Sequence, residues 1–473
     1  MVVRSLALLD RLPTDGSARW IPVVWIMLAA ALAGVSVSLS PWLTALATAA
    51  LVGIWLLLRY WSVLAPVTLV LCVAIPRYVY SIGTISINAE RVVIPALFGL
   101  LLVTQVGNPL VYGRAHLLLL LSLAVSALSS TINAPDTGDS LRLTLLTGIT
   151  CLPFLLVPNI ATEIQSVRRA TVMFIWSGVL EAIFGLVAVG INALSGINIG
   201  VQLDALTGAW AAYGSQWEGN TFGSFVGAAT VMTTAWLVAP DQSRRMRALA
   251  GVALAVLIGG LIVSLSRGAW LGTAAGALVV VLSLPRRWKI AALVGAMLVL
   301  AGLLTMSDGL QFASPDPEQS AALTRLSLLA DPVDGITIER LYTYDLAFRD
   351  WLEQPIIGWG AGSLGQRSSY VSVELPAWVG NLELHAVHDT GVLGAVGLLG
   401  AMAGTTFSLI RALRGRPGAH DPNRRLVVGL LAACVTLLVA YQATEATWLG
   451  YTWYLFGLAW AARRAVGAPQ CRG

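Results

Sequence analysis

Long runs of apolar residues, separated by short polar or glycine-rich stretches, recur along the whole chain. A membrane-spanning helix needs about 20 mostly apolar residues, whereas a strand of a membrane β-barrel alternates apolar and polar positions. The uninterrupted runs therefore predict an all-α polytopic membrane protein with about 12–14 transmembrane helices. The predicted spans lie near residues 21–38, 42–58, 61–76, 92–106, 115–133, 142–160, 171–191, 222–240, 248–265, 269–284, 290–306, 388–410, 426–444 and 447–462.

The composition agrees with this pattern. Of the 473 residues, 57% are hydrophobic and 11% are charged, and the mean hydropathy is +0.78. These values exclude an ordinary soluble domain. The first apolar run is too long for a signal peptide and is followed at once by others, so we expect it to be a retained span. The four cysteines have neither metal-ligand spacing nor a disulfide framework.

The positions of the basic residues predict the orientation in the plasma membrane. If the N-terminus is cytoplasmic, most of the 29 lysines and arginines fall in cytoplasmic segments, as the positive-inside rule requires. An even number of spans then places both termini in the cytoplasm. Basic residues scattered among short loops do not indicate nucleic-acid binding.

The chain is predicted to have two parts. Residues 1–191 form an N-terminal transmembrane bundle, and residues 192–473 form a second transmembrane domain. The second domain contains one long extracytoplasmic loop, residues 307–387. A loop of this length between spans is usually functional.

An arginine lies where the hydrophobic pattern does not favour one. Arg267, in "SLSRGAWLG", falls in a tight hairpin between two predicted spans and has no acidic neighbour in sequence. Arginine stays protonated in proteins, and placing it at the centre of a bilayer costs roughly 3 kcal/mol or more. We therefore expect Arg267 at the extracytoplasmic rim, facing an anion such as a phosphate or diphosphate. Snorkelling to lipid headgroups is the alternative.

A second group of candidates lies in the long loop. Residues 338–354 have the charges and apolar content of an amphipathic helix, at the membrane surface or packed in the loop, that stops at Pro355. Arg340 and Arg349 are further candidates for binding phosphate, although Asp350 beside Arg349 favours an ion pair there. The following "PIIGWGAGSLG" alternates glycine with other residues. This alternation is weak evidence for phosphate binding and better evidence for a close backbone approach.

Two histidines and three carboxylates are candidates for proton transfer. His385, His388 and Asp389 lie at the entrance to a predicted span, with the i, i+3 and i, i+4 spacings of one helix face. A histidine there is either a general base or a cap for loop carbonyls. No third strong ligand is evident in the sequence, so a metal site is not favoured. Glu181 lies deep in a span, and Glu445 is expected near enough to a span end to be solvated.

Three segments, in this order, resemble one protein family. They are "SLSRGAWLG", "ERLYTYDLAFRDWLEQPIIGWGAGSLG" and "NLELHAVHDTGVLG". Together with the long loop between spans, they resemble the C-terminal domain of O-antigen ligases and Wzy-type O-antigen polymerases. The resemblance covers roughly residues 200–410, and the earlier spans match only in hydrophobicity.

The resemblance implies a metal-independent, inverting glycosyltransferase of the GT-C type that needs no cofactor. Such an enzyme moves a glycan from an undecaprenyl-diphosphate carrier to a glycan or glycolipid acceptor on the outer face of the plasma membrane. The resemblance also implies that Arg267 and Arg340 hold the donor diphosphate and stabilise it as it leaves. Arg349 is a third candidate for this contact.

The last of the three segments departs from the family pattern. Many ligases have a His-Asn pair at the position that is Gly380 and Asn381 in this chain. This sequence has His385 and His388 instead, so the resemblance does not identify the base. We expect His388 with Asp389 to act as the base, and His385 to be the second candidate.

Three other functions are alternatives. A Wzy-type polysaccharide polymerase would add the glycan to another carrier-linked unit. An anion transporter, for an ion such as bicarbonate, would use an arginine at the outer rim to attract its substrate, but the paired broken helices that mark a transport path are not evident. A structural or assembly partner in an envelope complex is the third.

Overall fold

The computed structural model describes most of the chain from residue 59 onwards. The described ranges are 59–75, 79–82, 85–105, 109–204, 208–216, 218–239, 242–286, 335–367, 379–414 and 422–467, with residues 52–53, 56–57 and 289. The helices among them are α1 (Trp61–Ala74), α2 (Ala89–Thr104), α3 (Arg114–Ile132), α4 (Thr137–Ile160), α5 (Ile164–Ser195), α6 (Gly219–Leu237), α7 (Arg244–Val263), α8 (Arg267–Leu282), α9 (Gly335–Glu353), α10 (Ser363–Arg367), α11 (Leu382–Arg414), α12 (Pro422–Ala440) and α13 (Gly450–Gly467). Two antiparallel hairpins pair β1 (Val79–Ile82) with β2 (Ile85–Asn88), and β3 (Val201–Leu203) with β4 (Trp210–Ala212).

The predicted all-α polytopic membrane fold is confirmed. Among the described helices, α3, α4, α5, α7, α11 and the Asn423–Ala440 part of α12 are long and apolar enough to cross a membrane. Shorter apolar helices are α8 and the Leu64–Ala74 part of α1. The predicted spans at 21–38 and 290–306 lie outside the described residues, as do most of the span at 42–58 and the first part of the predicted loop.

The chain divides into two compact units, Met1–Ala65 and Pro66–Gly473. All helices from α2 onwards belong to the second unit, so the site described below lies within one compact body. The domain boundary predicted after residue 191 falls inside α5. That division of the chain stays a prediction.

Short polar side chains begin several helices. Asn88, Asp136, Ser243 and Ser266 each accept a hydrogen bond from the backbone N–H three residues later. Such caps satisfy N–H groups that have no partner within the helix. The Ser266 cap therefore fixes Arg267 as the first residue of α8.

Aromatic side chains of α13 fill the centre of the bundle. Trp453, Tyr451 and Tyr454 are buried almost completely. The ring of Tyr451 lies 5.1 Å from that of Phe225, and the ring of Tyr454 stacks on Phe174 at 5.8 Å. These contacts join α13 to α6 and α5, and aromatic pairs of this kind add to the energy of burial.

Small residues bring α8 close to α12. A Cβ at Gly272 would overlap the carbonyl of Thr436, and one at Gly268 would lie 3.0 Å from the Cβ of Ala443. Membrane helices associate through such small residues because lipid provides little hydrophobic driving force between them. The close approach sets the start of α8 beside the segment that follows α12.

A break at Gly391 bends α11 near its start. Gly391 has φ 58° and ψ −173°, a left-handed φ that favours glycine, and a Cβ there would overlap the carbonyl of Ile356. Beyond the break, the N–H groups of Val392 and Leu393 donate to the carbonyls of Pro355 and Ile356 at 2.9 and 3.1 Å. The start of α11 is thereby interlocked with the chain that leaves α9.

Basic side chains lie at the end of the bundle opposite to Arg267. Ser283 is the C-cap of α8, the helix that begins at Arg267. Arg424 and Arg425 donate to the carbonyl and the hydroxyl of Ser283 at 3.4 and 3.2 Å. This arrangement accords with the predicted charge asymmetry, and the orientation in the membrane stays a prediction.

Candidate active site

Five ionisable side chains form a continuous chain of contacts at the end of the bundle where α11 begins. Nε2 of His388 lies 2.9 Å from Oδ2 of Asp350, and its Nδ1 lies 2.8 Å from Oδ1 of Asp389. Nε2 of His385 lies 3.0 Å from Oδ2 of Asp389, and its Nδ1 lies 3.3 Å from Oε2 of Glu445. Carboxylates and imidazoles thus alternate from α9, through α11, to the segment between α12 and α13.

His388 is the enclosed histidine of this chain. Its side chain has 0% exposure, and each of its ring nitrogens is hydrogen-bonded to a carboxylate oxygen. It therefore has no free nitrogen for a substrate. Its bonds to Asp350 and Asp389 instead tie α9 to α11.

His385 is the more accessible histidine, with 15% of its side chain exposed. An ionised carboxylate only accepts hydrogen bonds, so the contact with Asp389 assigns the N–H of a neutral His385 ring to Nε2. Nδ1 then carries the lone pair. Oε2 of Glu445, which faces Nδ1, is buried and has no hydrogen-bond partner among the described residues. His385 thus lies between two carboxylates, Asp389 and Glu445.

Asp350 is held ionised by a neighbouring arginine. Nε of Arg367 donates to both carboxylate oxygens of Asp350 at 2.9 and 2.8 Å, and Arg367 also pairs with Glu353 at 3.0 Å. Burial raises the pKa of Asp350, but hydrogen bonds from His388 and Arg367 and the charge of Arg367 outweigh it and lower the pKa to about 2. The Arg367 guanidinium lies 3.3 Å from the centre of the Trp359 ring, which fixes it from the other side.

The glycine-rich segment after Pro355 lies directly against the start of α11. The N–H groups of Trp359 and Gly360 donate to the carbonyls of His388 and Asp389 at 3.0 and 2.8 Å. The N–H of Gly362 donates to Oδ2 of Asp389 at 2.9 Å. Positive φ at alternate glycines allows this path. The predicted close backbone approach is therefore confirmed.

Polar residues at the end of α3 support this segment from behind. Oγ of Ser129 and Nδ2 of Asn133 both donate to the carbonyl of Gly358 at 2.7 Å. Oγ of Ser130 accepts from the N–H of Ala361 at 3.1 Å. These residues, like Arg367, are missed by the sequence analysis. The run "SSTIN" at the end of an apolar helix is the signal that could have indicated them.

Arg267 and Arg340 both lie near the start of α6. Oγ of Ser266, the residue before Arg267, donates to Oδ1 of Asn220 at 2.8 Å. Arg340, on α9, interacts electrostatically with Glu218, the N-cap of α6. Two arginines that are far apart in sequence therefore reach the same short stretch of the bundle.

Glu218 connects Arg340 to the segment that carries Glu445, the last member of the histidine–carboxylate chain. Oγ1 of Thr444 donates to Oε1 of Glu218 at 2.9 Å, and Thr444 precedes Glu445. Burial raises the pKa of Glu218, against the hydrogen bond from Thr444 and the charge of Arg340, and Glu445 raises it further. Glu445 itself is 2% exposed, so the expectation that it is solvated is wrong. The loop that follows α12 returns into the bundle and encloses it.

The structure does not bring Arg349 to this group. Arg349 and Arg340 are nine residues apart on α9, the helix predicted at 338–354, and nine residues correspond to about half a turn beyond two full turns. Arg349 pairs instead with Asp345 at 2.8 Å, with 75% of its side chain exposed. Its predicted contact with a diphosphate stays a prediction. Glu181 also lies elsewhere, where it accepts from the N–H and the hydroxyl of Ser215.

The arrangement of the candidate residues is linear. Each histidine bridges two carboxylates, and the groups do not converge on one point. Within the described ranges, no group of three or more His, Cys, Asp or Glu side chains is placed to hold a metal ion. The chemistry that this geometry supports is proton transfer along the histidine–carboxylate chain.

Comparison with known families gives one result. Residues 250–402 match the model of a family described as O-antigen ligase, which confirms the resemblance drawn from the three sequence segments. The matched residues include Arg267, Arg340 and both histidines, whereas Glu218 and Glu445 lie outside them. A comparison with curated proteins found no match.

Proposed function

We propose, on the premise that residues 250–402 are an O-antigen ligase domain, that the protein moves a glycan from an undecaprenyl-diphosphate carrier to a glycan or glycolipid acceptor. The reaction is metal-independent and inverts the configuration at the sugar, as in GT-C enzymes. It takes place on the outer face of the plasma membrane, with both termini of the protein in the cytoplasm. The lipid bilayer presents the donor.

One observation carries the proposal. Arg267 follows Ser266, which donates to Asn220 at the start of α6, and Arg340 interacts electrostatically with Glu218, the N-cap of α6. Thr444 joins Glu218 to the segment of Glu445, which contacts His385. Guanidinium groups match the oxygens of a diphosphate. A histidine oriented by a carboxylate suits the removal of a proton from a hydroxyl.

The reaction needs both features at once. The acceptor hydroxyl oxygen forms a bond to the anomeric carbon, and the bond from that carbon to the diphosphate oxygen breaks. The electron pair of the broken bond leaves with the diphosphate, where Arg267 and Arg340 stabilise the developing negative charge. The hydroxyl proton passes to the base. Inversion follows because the acceptor attacks from the face opposite to the leaving diphosphate.

The geometry favours His385 as the base over His388. The side chain of His388 has 0% exposure, whereas 15% of the His385 side chain is exposed and can be reached by an acceptor. Asp389 orients His385 through Nε2, at 3.0 Å. We assign His388 to the support of Asp389, so His388→Ala is expected to weaken the site through that carboxylate.

The test uses Arg267→Ala and Arg340→Ala in cells that lack the native protein. Each variant is expected to reduce attachment or extension of the surface polysaccharide on the order of 100-fold, with carrier-linked glycan accumulating, because a preorganised charge contact is removed. The matched control is Arg142→Ala, since Arg142 is an exposed arginine whose ion pair with Asp139 is long, at 3.5 Å. Unchanged glycans in the Arg267 and Arg340 variants, together with altered anion uptake, would refute the proposal and favour a transporter.

The same cells distinguish a ligase from a polymerase. If a ligase is lost, full-length glycan accumulates on its carrier. If a polymerase is lost, single repeat units accumulate and the surface glycan is short. Mass spectrometry of the extracted carrier lipids separates these results.

A further inference from the structure

Two arginines at the end of the bundle opposite to Arg267 bind the same serine. Arg424 and Arg425, called the arginine pair below, are the third and fourth residues of α12. Nη1 of Arg424 donates to the carbonyl of Ser283 at 3.4 Å, and Nη1 of Arg425 donates to the Ser283 hydroxyl at 3.2 Å. The two guanidinium groups are near enough to interact electrostatically. Two like charges this close repel each other unless an anion compensates them.

The hydrogen-bond donors of the arginine pair are only partly used. Nε of Arg424 and Nε of Arg425 are both buried, and neither has a hydrogen-bond partner among the described residues. Because Nη1 of each side chain contacts Ser283, the edge formed by Nε and Nη2 takes no part in these contacts. The parallel N–H groups of such an edge match two oxygens of one phosphate. A buried N–H without an acceptor is costly, so the arrangement favours a bound anion.

The charges nearby do not neutralise the arginine pair. No ion pair in the described part of the chain includes Arg424 or Arg425, and the first turn of α12 has no acidic residue. The N-terminus of α12 adds roughly half a positive charge, which the C-terminus of α8, at Leu282, offsets by a similar amount. Arg168, on α5, donates to Oδ1 of Asn423 at 3.3 Å and adds a further positive charge.

The level of the arginine pair in the bundle indicates where the anion comes from. The part of α12 that is long and apolar enough to cross a membrane begins at Asn423, and α8 ends just before Ser283. The ends of spans lie at the level of the lipid headgroups. Arg425 is only 6% exposed, so it is fixed in place and is not a loose side chain that reaches any nearby headgroup. Basic pockets of this kind between spans bind the headgroups of anionic lipids.

We propose that Arg424 and Arg425 bind the phosphate group of an anionic phospholipid, on the side of the membrane opposite to Arg267. The phosphodiester carries one negative charge and two free oxygens, which the unused guanidinium edges match. A zwitterionic phospholipid has its own cation beside the phosphate, so it binds more weakly. The inference does not depend on the proposed function, because the histidine–carboxylate chain lies at the other end of the bundle.

The first experiment is native mass spectrometry of the full-length protein in an uncharged detergent, titrated with phosphatidylglycerol or phosphatidylcholine. The wild type is expected to bind one phosphatidylglycerol on the order of 10-fold more tightly than phosphatidylcholine. The double variant Arg424→Gln/Arg425→Gln is expected to lose this tight site and to bind one phosphatidylglycerol fewer. Equal affinity of the wild type for both lipids, or an unchanged tight site in the double variant, would overturn the inference.

The matched control is Arg244→Gln/Arg245→Gln. Arg244 and Arg245 are also adjacent and begin a helix, α7, but both are exposed. Since α7 ends at Val263 and α8 begins at Arg267, α7 begins at the end of the bundle where α8 ends. The control therefore removes the same charge from the same side, and it is expected to keep the tight site. An equal loss in both double variants would show general attraction by positive charge and would contradict a defined site.

Asp421 is the nearest acidic residue to the arginine pair in sequence, so it provides a test of an internal counter-charge. Asp421→Asn is expected to change the affinity for phosphatidylglycerol little. A gain on the order of 10-fold in this variant would identify Asp421 as the counter-charge and overturn the inference.

The second experiment distinguishes a phospholipid from a free anion and does not require a variant. Thermal unfolding of the wild type in the same detergent is followed with phosphatidylglycerol, phosphatidylcholine or inorganic phosphate added. Phosphatidylglycerol is expected to raise the unfolding temperature most, because it binds the folded protein selectively. Equal or greater stabilisation by inorganic phosphate would assign the arginine pair to a free anion and overturn the phospholipid as its ligand.

A conservative variant covers the case in which the glutamine variant does not fold. Arg424→Lys/Arg425→Lys keeps both charges but replaces each planar fork by a single ammonium group. It is expected to bind phosphatidylglycerol several-fold more weakly than the wild type. An unchanged affinity would overturn the assignment of the phosphate to the guanidinium edges.

Discussion

Replacing Asp350 by asparagine should show that a mostly buried ion pair contributes more to the folding free energy than an exposed pair does. Asp350 accepts hydrogen bonds from His388 and Arg367. Its pKa is lowered from the ordinary value of 3.8 to about 2. A difference of about 1.8 pH units corresponds to about 2.4 kcal/mol of preference for the ionised form in the folded protein. The side chain is 13% exposed, so solvent screens part of this interaction. We therefore expect Asp350→Asn to cost about 1–2 kcal/mol of folding free energy.

The matched control lies on the same helix. Asp345 also pairs with an arginine, Arg349, at 2.8 Å, but their side chains are 53% and 75% exposed. Exposed pairs of this kind contribute little, so Asp345→Asn should change stability by less than about 0.5 kcal/mol. The assay is thermal unfolding of the purified protein in one detergent, with both variants beside the wild type.

The pH dependence provides a second measurement with a definite sign. The pKa of Asp350 is lower in the folded protein than in the unfolded chain. Its contribution to folding stability is therefore fully present above the ordinary pKa of about 3.8 and is lost as the pH falls through about 2. The difference in unfolding free energy between the wild type and Asp350→Asn, called the gap below, should thus be constant above about pH 5 and should shrink between about pH 4 and pH 2. A gap that does not change over this window, or an equal loss in Asp345→Asn, would refute the reasoning.

Three glycines of α11 give further predictions. Gly397→Ala should destabilise the protein by about 1–3 kcal/mol in the same unfolding assay, because its Cβ would lie 2.6 Å from the carbonyl of Leu118 on α3. Gly404→Ala should not destabilise the protein, since a Cβ there meets nothing within 4 Å and alanine favours a helix more than glycine does; a loss similar to that of Gly397→Ala would refute the packing argument. Gly391→Ala should abolish most glycan transfer, because a positive φ and an overlap with Ile356 displace the segment that holds Asp389; full transfer by this variant would contradict the interlocked arrangement.

The spans could be predicted closely because lipid imposes a simple requirement on the sequence. A run of apolar residues of sufficient length has few alternatives to a helix in a bilayer, since every backbone group must be bonded internally. The predicted spans at 115–133 and 269–284 correspond to α3, at Arg114–Ile132, and to α8, at Arg267–Leu282. The helix predicted at 338–354 is α9, one to three residues displaced at its ends. Periodicity and end signals were sufficient for these elements.

The contacts of the candidate site could be predicted only in part. His385 and Asp389 were expected together because a helix fixes neighbours at i, i+4. The contact of Asp350 with His388, and the contact of Glu445 with His385, depend on how separate segments pack, which local pattern does not encode. Local pattern also does not encode burial, so the sequence places His388 before His385 as the expected base. The greater exposure of His385 supports our proposal that it is the base instead.

The packing also bears on why an arginine is tolerated at the start of α8. The first residues of α6, α8 and α11 lie at the same end of the bundle, and each helix N-terminus carries roughly half a positive charge. Glu218, Asp389 and Glu445 provide negative charge close by, but hydrogen bonds from Thr444, His385 and Thr447 already engage these carboxylates. On the proposed function, a diphosphate that approaches Arg340 competes with Glu218 for that guanidinium, and the raised pKa of Glu218 makes this carboxylate a weak competitor. If the protein has the proposed function, this charge balance favours the exchange of a protein carboxylate for the phosphate oxygens of the donor.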